Sequence, residues 1–425
     1  MPRTALPLAP LFALALLLVQ AASPPATLAT EGTEHHTAHY DLYVESPLDP
    51  SETGDLLEAL HRELSRFFGT APKGPLRVEI YADQERFRAA LRRDRQPYQS
   101  GGGLYGPTSG KVWLAIQPSE AYTRQLILHE ATHQFHFPVA TSNRFPSAAW
   151  YTEGLAEFMG MANWDGRRLR VGVIPAITLE DYPARARAVF DAIDWDVAGA
   201  LEGHVAVGQA GGWALVHFLA HDDAQRFRDL GRRLERRDDP PRALREVYGE
   251  IGPGFVSRFR RWLRRHRQPW DWRWNSWQER GGWIEGDSDR VAVSTLKETP
   301  RRLDVELRPV SGYFKGGLVF GYRSAEDFYM MSLRDDRTVR LLRRRLGSWL
   351  ALDQTRIGQP AVPDTLAVEQ HPGGVHLWVN GQVIAVVDAL GKVGLMVDGC
   401  RARFRPTIDR ESGALARAGS AHGAG

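Results

Sequence analysis

The stretch that decides the fold is QLILHEATHQFHFP, residues 125–138. It places His129 and His133 four positions apart, and residues at that spacing share one face of a helix. Two imidazoles on one face can bind the same metal ion, which is zinc in many catalytic sites of this pattern. Glu130 lies beside them, where it can take a proton from a water molecule. The motif therefore predicts His129 and His133 as metal ligands and Glu130 as a general base.

Apolar residues on both sides of the motif indicate a helix that is buried in a core. Residues 126–128 are Leu-Ile-Leu, and Phe135 and Phe137 follow the motif. Buried apolar neighbours would hold the ligands of such a helix in place. Pro138 is expected to end the helix, because proline lacks the N–H that would continue the hydrogen-bond ladder.

A second run with helical apolar spacing, WYTEGLAEF at residues 150–158, offers two more carboxylates. Glu153 and Glu157 lie four positions apart, on one face of that helix. A catalytic zinc takes three protein ligands and keeps a fourth position for a water molecule whose pKa falls toward neutrality. We expect Glu153 to be the third ligand and Glu157 to hydrogen-bond a ligand imidazole and fix its tautomer. The reverse assignment stays open at this point.

This arrangement resembles the gluzincin zinc metallopeptidases, and more closely the peptidase MA-like family, whose members pair H-E-x-x-H with a later W-x-x-E-G-x-A-E helix. The matching residues of that second helix are Trp150, Glu153, Gly154, Ala156 and Glu157. By the order of its elements the resemblance extends to about residue 265, and we place the domain at residues 38–268. The resemblance implies an α+β thermolysin-like zincin domain that hydrolyses peptide bonds with a zinc-activated water.

The histidines of this chain also allow other interpretations. A metzincin would need Gly at position 136 and His at position 139, but the chain has His136 and Val139 there. His136 is expected to be a core or surface histidine. His217 and His221 lie one turn apart on an apolar helix, where a second metal site is conceivable but core or surface positions are favoured. A degenerate peptidase, with histidines that only satisfy buried hydrogen bonds, is the alternative for the motif itself.

Apolar periodicity and turn residues predict alternating strands and helices before the metal helix. In the gluzincins that this chain resembles, the strand just before that helix lies at a sheet edge and pairs with extended substrate. KVWLAI, residues 111–116, is expected to be this strand, and Gly101 to Gly103 read as a turn or a mobile loop. The elements in order are strand 39–46, helix 51–69, strand 76–82, helix 83–93 and strand 111–116.

Peptide hydrolysis also needs a donor that stabilises the tetrahedral oxygen of the transition state. The family that this chain resembles often has a tyrosine a few residues before the tryptophan of a later helix, where this chain has Val207-Gly208-Gln209. Tyr151, Tyr182 and His204 are candidates by residue type alone. The sequence offers no geometry to choose among them.

The N-terminus is typical of a signal peptide. Arg3 precedes an apolar stretch from Leu11 to Val19, and small residues suited to cleavage follow it. We expect residues 1–22 to be removed and the protein to be secreted or periplasmic, with an uncleaved anchor as the alternative. Cys400 is the one cysteine in 425 residues, so the exported protein must be stable without internal disulfides. Cys400 itself is expected to be a buried small hydrophobe.

Arginine between residues 226 and 267 gives the chain much of its basic character, with a net charge of +3 and a pI near 9.0. Acidic residues interleave with these arginines, which is typical of solvated helix faces. A nucleic-acid partner is therefore not expected.

The C-terminal third has a different pattern. A segment rich in tryptophan, residues 269–283, is predicted to be a linker that packs on both neighbours. Short alternating strands then predict an all-β jelly-roll sandwich over residues 284–408, and GGLVFGYRSAEDFYMMSL, VHLWVNGQVIAVV and GKVGLMV resemble concanavalin-like and laminin-G-like domains. That resemblance implies a carbohydrate or protein ligand. Residues 409–425 are predicted to be a disordered tail.

Together these features predict an exported zinc peptidase whose substrate is a peptide or protein. The competing interpretation is a catalytically inactive zincin scaffold that carries a carbohydrate- or protein-binding sandwich. An intact Glu130 argues against this alternative, because a structural zinc site has no need of a base beside the metal.

Overall fold

The computed structural model describes residues 32–97, 101–140, 148–175, 181–271, 276–311, 315–346, 348–358 and 363–409. They form a mainly helical N-terminal region with one mixed sheet, followed by an all-β sandwich. The predicted signal peptide and all but the first residue of the predicted tail lie outside the described residues. Among the described residues, no helix has both the length and the apolar character that crossing a bilayer requires.

The N-terminal sheet has five strands in the order β1-β2-β3-β5-β4, and β2, β3 and β5 run parallel. The predicted strands at 39–46, 76–82 and 111–116 are confirmed. The predicted edge position of KVWLAI is wrong, because β4 pairs with β5 and is itself the edge strand. The strands are β1 Thr33–His36, β2 Tyr40–Val44, β3 Leu76–Tyr81, β4 Gly103–Gly106 and β5 Lys111–Ala115.

Ten helices are assigned within the described residues, together with a small hairpin of strands β6 Asn163–Trp164 and β7 Leu169–Arg170. The helices are α1 Pro50–Phe68, α2 Gln84–Arg93, α3 Glu120–Ala140, α4 Ala149–Gly160, α5 Tyr182–Ala192, α6 Val197–Glu202, α7 Gly208–Asp222, α8 Ala224–Glu235, α9 Pro240–Tyr248 and α10 Pro253–Arg265.

Local signals explain where several helices begin and end. The Asp49 side chain accepts a hydrogen bond from the N–H of Ser51 at the start of α1, and Gly69 ends that helix in the left-handed conformation, with φ of +71°. Helix α3 does not stop at Pro138, as predicted from the sequence, but continues to Ala140. A proline in the last turn removes only one hydrogen bond, so the helix can finish that turn.

The C-terminal sandwich consists of two seven-stranded antiparallel sheets and has a jelly-roll-like architecture. One sheet has the order β19-β18-β17-β12-β21-β10-β9, and the other has the order β16-β15-β14-β13-β20-β11-β8. The strands are β8 Trp270–Asp271, β9 Trp277–Arg280, β10 Trp283–Ser288, β11 Ala292–Leu296, β12 Arg302–Ser311, β13 Lys315–Ser324, β14 Asp327–Arg334, β15 Thr338–Arg345, β16 Ser348–Arg356, β17 Asp364–His371, β18 Gly374–Val379, β19 Gln382–Val387, β20 Lys392–Val397 and β21 Cys400–Asp409.

The segment predicted as a linker contributes an edge strand to each sheet. Strands β8 and β9 both fall within residues 269–283, and the buried side chains of Trp270 and Trp277 join the core between the sheets. Cys400 is also buried in that core, as predicted. Strand β9 reaches the N-terminal region, where both oxygens of Glu120 lie 2.7 Å from Nη2 of Arg280. The sandwich is thereby fixed against the first turn of α3.

Candidate metal centre

The structure brings the two histidines of the motif together on one face of α3. The Nε2 atoms of His129 and His133 lie 3.1 Å apart, and both side chains are buried. From α4, the carboxylate of Glu153 lies 3.7 Å from Nε2 of His129 and 3.6 Å from Nε2 of His133. Their candidate ligand atoms all fall within 4.8 Å of one another.

Zinc coordination requires a particular spacing of its ligand atoms. Zinc–ligand bonds of about 2.0–2.2 Å at tetrahedral angles place the ligand atoms about 3.3–3.6 Å from one another. The two imidazole nitrogens are 3.1 Å apart, and Glu153 approaches them through different oxygens, with Oε1 3.6 Å from His133 and Oε2 3.7 Å from His129. The side chain of Glu153 is 41% exposed, so a fourth position could be reached from solvent. The three residues therefore fit a zinc ion with an open coordination position.

Glu157 lies behind the site, on the other ring nitrogen of His129. Its Oε1 is 3.3 Å from Nδ1 of His129, so a proton on Nδ1 would leave Nε2 free to bind a metal. The carboxylate also accepts hydrogen bonds from the side chains of Gln125 and Tyr182. Both donors hold Glu157 in place, and neither was predicted for this role.

Glu130 lies between α3 and the edge strand β4. Its carboxylate accepts a hydrogen bond from the backbone N–H of Tyr105. A Cβ atom at Gly103 would fall 2.8 Å from Oε1 of Glu130, so the glycine allows β4 to approach the carboxylate closely. Burial raises the pKa of Glu130 and the negative charge of Glu153 raises it further, while the two imidazoles oppose this shift. A carboxyl with a raised pKa is suited to accept and return a proton near neutral pH.

The electrostatics of the site favour a cation. Burial lowers the pKa of His129, but the carboxylates of Glu157, Glu130 and Glu153 outweigh it and raise that pKa to about 9. Burial opposes ionisation of Glu153, but hydrogen bonding and charge from His133 lower its pKa to about 2. Three carboxylates surround two imidazoles here, so a divalent cation would compensate their charge.

Close packing between α4 and α7 sets the position of Glu153. A Cβ atom at Gly154 would lie 2.3 Å from the backbone oxygen of Gly212, and a Cβ at Gly212 would lie 2.8 Å from the backbone oxygen of Trp150. The two helices approach through these glycines, with no side chain between their backbones. The glycine in the E-G-x-A-E run therefore has a physical reason, which is the contact that places its neighbour Glu153 near the histidines.

Gln209, in the first turn of α7, is a site residue that the sequence did not predict. Its side chain donates a hydrogen bond to Glu153, and the residue is exposed. The signal was present in the sequence, because Gln209 falls in the short segment where the resembling family often has a tyrosine. Its amide is a donor at the open side of the candidate centre.

The three residues that are candidate oxyanion donors by type have partners outside the three candidate metal ligands. Tyr182 bonds Glu157 from behind the site, and Tyr151 is buried with its hydroxyl on Glu235. His204 is exposed and lies 3.4 Å from Glu202. His136 is fully buried, with Nε2 2.6 Å from Oε1 of Glu235, which confirms its prediction as a core histidine.

His217 and His221 stack on each other with ring centroids 4.2 Å apart, and His266 lies 5.9 Å from His217. Within the described residues the one group of three potential ligands with converging atoms is the centre on α3. The prediction of a core position is therefore confirmed for His217, which is 4% exposed.

This buried histidine predicts an acid sensitivity of folding. Burial and the neighbouring His221 and His266 lower the pKa of His217 to about 3, from 6.5. As the pH falls, His217 is protonated in the unfolded chain at a higher pH than in the folded protein. The free energy of unfolding therefore falls as the pH drops from 6.5 toward 3. Between pH 6.5 and pH 5, we expect the free energy of unfolding of His217→Leu to fall by about 1–2 kcal/mol less than that of the parent. Urea unfolding at each pH measures this difference. His204→Gln, at an exposed position, is the control, and equal pH slopes in parent and His217→Leu would contradict the assignment.

A family model described as a protein of unknown function, DUF1570, matches residues 125–240. That span contains α4, α7 and all but the first five residues of α3, which together carry the candidate centre. The description assigns no activity, and no curated protein matches the chain.

Several solved structures are similar to part of this chain. The carbohydrate-binding module CBM66 from Bacillus subtilis is 15% identical, with a TM-score of 0.30 over 34% of this chain and 96% of that chain. The GH43 protein BlXynB from Bacillus licheniformis is 14% identical, with a TM-score of 0.27 over 33% of this chain and 36% of that chain. Galectin LEC-6 from Caenorhabditis elegans is 18% identical, with a TM-score of 0.20 over 25% of this chain and 83% of that chain.

Proposed function

We propose that the N-terminal region is a thermolysin-like zincin domain of the gluzincin type, and that the protein is an exported zinc-dependent peptidase. The observation that carries this proposal is the convergence of His129, His133 and Glu153, whose candidate ligand atoms lie within 4.8 Å of one another. A buried general base beside that group distinguishes a catalytic site from a structural one. Glu130 has this position.

Each residue of the proposed site has a separate role. His129, His133 and Glu153 hold the ion, and Glu157 fixes the tautomer of His129 through Nδ1. Zinc bound there supplies Lewis-acid polarisation of the scissile carbonyl and makes a water molecule more acidic. Glu130 would take a proton from the attacking water molecule and return it to the leaving amine.

Strand β4 is proposed to align the substrate. It is the edge strand of the sheet, and its backbone lies against Glu130. An extended peptide that pairs with the free edge would place its carbonyl groups beside the base, through main-chain hydrogen bonds that do not depend on sequence. This supports a peptide or protein as the substrate.

The sandwich is proposed to bind a carbohydrate or protein and so to localise the enzyme. An open crevice of about 570 Å³ on the sandwich is lined by polar residues, among them Asp287, Tyr322 and Arg344. Carboxylate, guanidinium and aromatic groups together suit a polyhydroxylated ligand.

Replacing Glu157 should weaken zinc binding without removing a ligand. Glu157→Gln removes the negative charge of the carboxylate that faces Nδ1 of His129. We expect the zinc dissociation constant to rise about 10–100-fold, the usual cost of losing such a partner. A competition titration with a chromogenic chelator measures this. Glu235→Gln is the control, because Glu235 bonds His136 on the same helix. Unchanged affinity in Glu157→Gln would contradict the proposed role.

The proposed function is tested by metal content and cleavage on the purified mature protein. Mass spectrometry should find one zinc ion per chain, and a library of quenched peptides should be cleaved, with activity lost to a chelator and restored by zinc. Absence of zinc would overturn the site assignment. Zinc without cleavage would favour the alternative of an inactive scaffold with a binding sandwich.

A further inference from the structure

The tip of the β15–β16 hairpin, which comprises residues 343–346 and 348–350, exposes large apolar side chains. Strand β16 is the edge strand of its sheet, and each of its nine residues is exposed. Leu346 is 85% exposed, Leu350 is 58% exposed and Trp349 is 44% exposed. Large apolar side chains stabilise a fold only when they are buried. Their concentration at one hairpin therefore indicates a surface that a partner covers.

The backbone at Leu346 supports this interpretation. Its φ is +49°, in the left-handed region that glycine and asparagine adopt readily but that is unfavourable for a leucine. Burial does not offset this strain, because the Leu346 side chain is the most exposed of the large hydrophobic residues that the structure describes. Backbone strain of this kind is found at sites that contact ligands or partners.

A second exposed leucine lies at the same end of this sheet. Asp327, at the start of β14, pairs with Arg345 of β15, and the turn between β13 and β14 lies beside them. Strand β20 pairs with the same end of β13 and begins at Lys392, just after Leu390, which is 72% exposed. Neighbouring strands lie about 4.8 Å apart, so Leu346 and Leu390 are on the order of 15–20 Å from each other. Apolar side chains spread along one edge of the sandwich fit a broad partner better than a small ligand.

The hairpin is also cationic. Residues 338–352 include four arginines, three of them consecutive, and no aspartate or glutamate. On the neighbouring strand, Asp327 lies 3.7 Å from Arg343 and 3.6 Å from Arg323, so two cations share this carboxylate. The charged side chains at this end of the sheet are Arg323, Arg343, Arg344, Arg345 and Lys392 against Glu326, Asp327 and Asp388. This excess of positive charge fits an anionic partner.

The same charges disfavour pairing of β16 with β16 of a second copy of the chain. In a full antiparallel pair, Arg356 of each copy would lie opposite Ser348 of the other, next to the arginines of the hairpin tip. Like charges at such positions destabilise strand pairing. Cations around an apolar tip fit instead a partner that is anionic at its surface and apolar inside. A bilayer that contains anionic lipid has this structure.

We propose that the hairpin tip docks the protein onto the surface of an anionic lipid bilayer. Leu346 and Leu350 enter the boundary between headgroups and acyl chains, and Trp349 lies at the headgroup level, where tryptophan is favoured. Arg343 and Arg345 pair with lipid phosphates. Membrane docking is independent of the metal centre and of the proposed carbohydrate or protein ligand of the sandwich.

Flotation of the mature protein with lipid vesicles tests this docking. We would compare vesicles of phosphatidylcholine with vesicles in which about one third of the lipid is phosphatidylglycerol. We expect binding to the anionic vesicles to be at least about tenfold stronger, and to weaken as salt screens the arginines. An environment-sensitive fluorophore on Leu346→Cys should shift to the blue on binding, and Cys400 is buried and therefore protected from labelling. The same fluorophore on Val310→Cys, in the other sheet, should not shift.

Two variants separate the apolar and the electrostatic contributions. Leu346→Ser should weaken binding about tenfold, because it removes the apolar surface that enters the bilayer. Arg345→Gln should weaken it about fivefold, the contribution of one arginine near an anionic surface. Both positions are exposed, so the fold should be kept, which thermal unfolding checks. Val310→Ser, at an exposed apolar position of β12, and Arg356→Gln, at the far end of β16, are the matched controls.

The outcomes also distinguish other partners. Equal binding to both kinds of vesicle, no binding to either, or unchanged binding in both variants would overturn the proposal. Binding of dextran sulfate without binding of vesicles would identify a soluble polyanion as the partner and would equally refute a membrane. A dimer in sedimentation equilibrium that dissociates in Leu350→Ser, with no vesicle binding, would assign the surface to a second copy of the chain and overturn the docking.

Discussion

Glu130→Gln is expected to lower kcat/KM for peptide cleavage about 10²–10⁴-fold while the protein keeps its zinc and its fold. The reason is that glutamine has the shape of glutamate but cannot accept the proton, and a positioned general base contributes a factor of this size. The N–H of Tyr105 can still donate to the amide oxygen, so the contact with β4 is retained. Steady-state cleavage of a quenched peptide measures the effect.

Zinc content and thermal unfolding are measured on the same preparation. Because Glu130 is not among the three proposed ligands, the zinc content should equal that of the parent. Glu63→Gln, at an exposed ion pair with Arg66 on α1, controls for the removal of a carboxylate elsewhere and should leave cleavage unchanged. Full activity in Glu130→Gln would refute the base assignment, and loss of its zinc would show that Glu130 is itself a ligand.

Much of this site could be predicted from the sequence because its chemistry is encoded at helical spacing. His129 and His133 lie on α3 and Glu153 and Glu157 lie on α4, each pair four residues apart. Once the two helices are predicted, the helix face on which each of the four side chains lies is also predicted. One contact that fixes the position of α4 is then enough to bring the two pairs together. Glycine at position 154 marks that contact.

Features that depend on distant parts of the chain were not predictable in this way. The sequence predicts a turn or loop at Gly101 to Gly103 and no strand at Gly103–Gly106, because glycine carries no strand signal. Only the pairing of β4 with β5 reveals a sheet edge beside Glu130. The contact of Gln209 with Glu153 joins positions 56 residues apart (209 − 153). Trp270 and Trp277 of the predicted linker lie in β8 and β9, and each of these strands forms the edge of one sheet of the sandwich.

The same dependence on one helix contact makes Gly154→Ala the substitution with the largest expected effect on stability. The new Cβ would lie 2.3 Å from the backbone oxygen of Gly212, and neither helix backbone can move aside without separating the other contacts between α4 and α7. We expect a loss of about 3 kcal/mol in the free energy of unfolding, at the upper end of typical overpacking costs. Urea unfolding measures it.

The contact also fixes the metal centre, so Gly154→Ala should weaken zinc binding as well as folding, because Glu153 is the neighbouring residue. Gly254→Ala is the matched control: Gly254 lies in α10 with nothing within 4 Å of the added Cβ, and alanine there should be neutral or raise stability by up to about 1 kcal/mol through its higher helix propensity. If both variants unfold at the urea concentration of the parent, α4 and α7 do not approach through their glycines, and the placement of Glu153 beside His129 and His133 loses its structural basis.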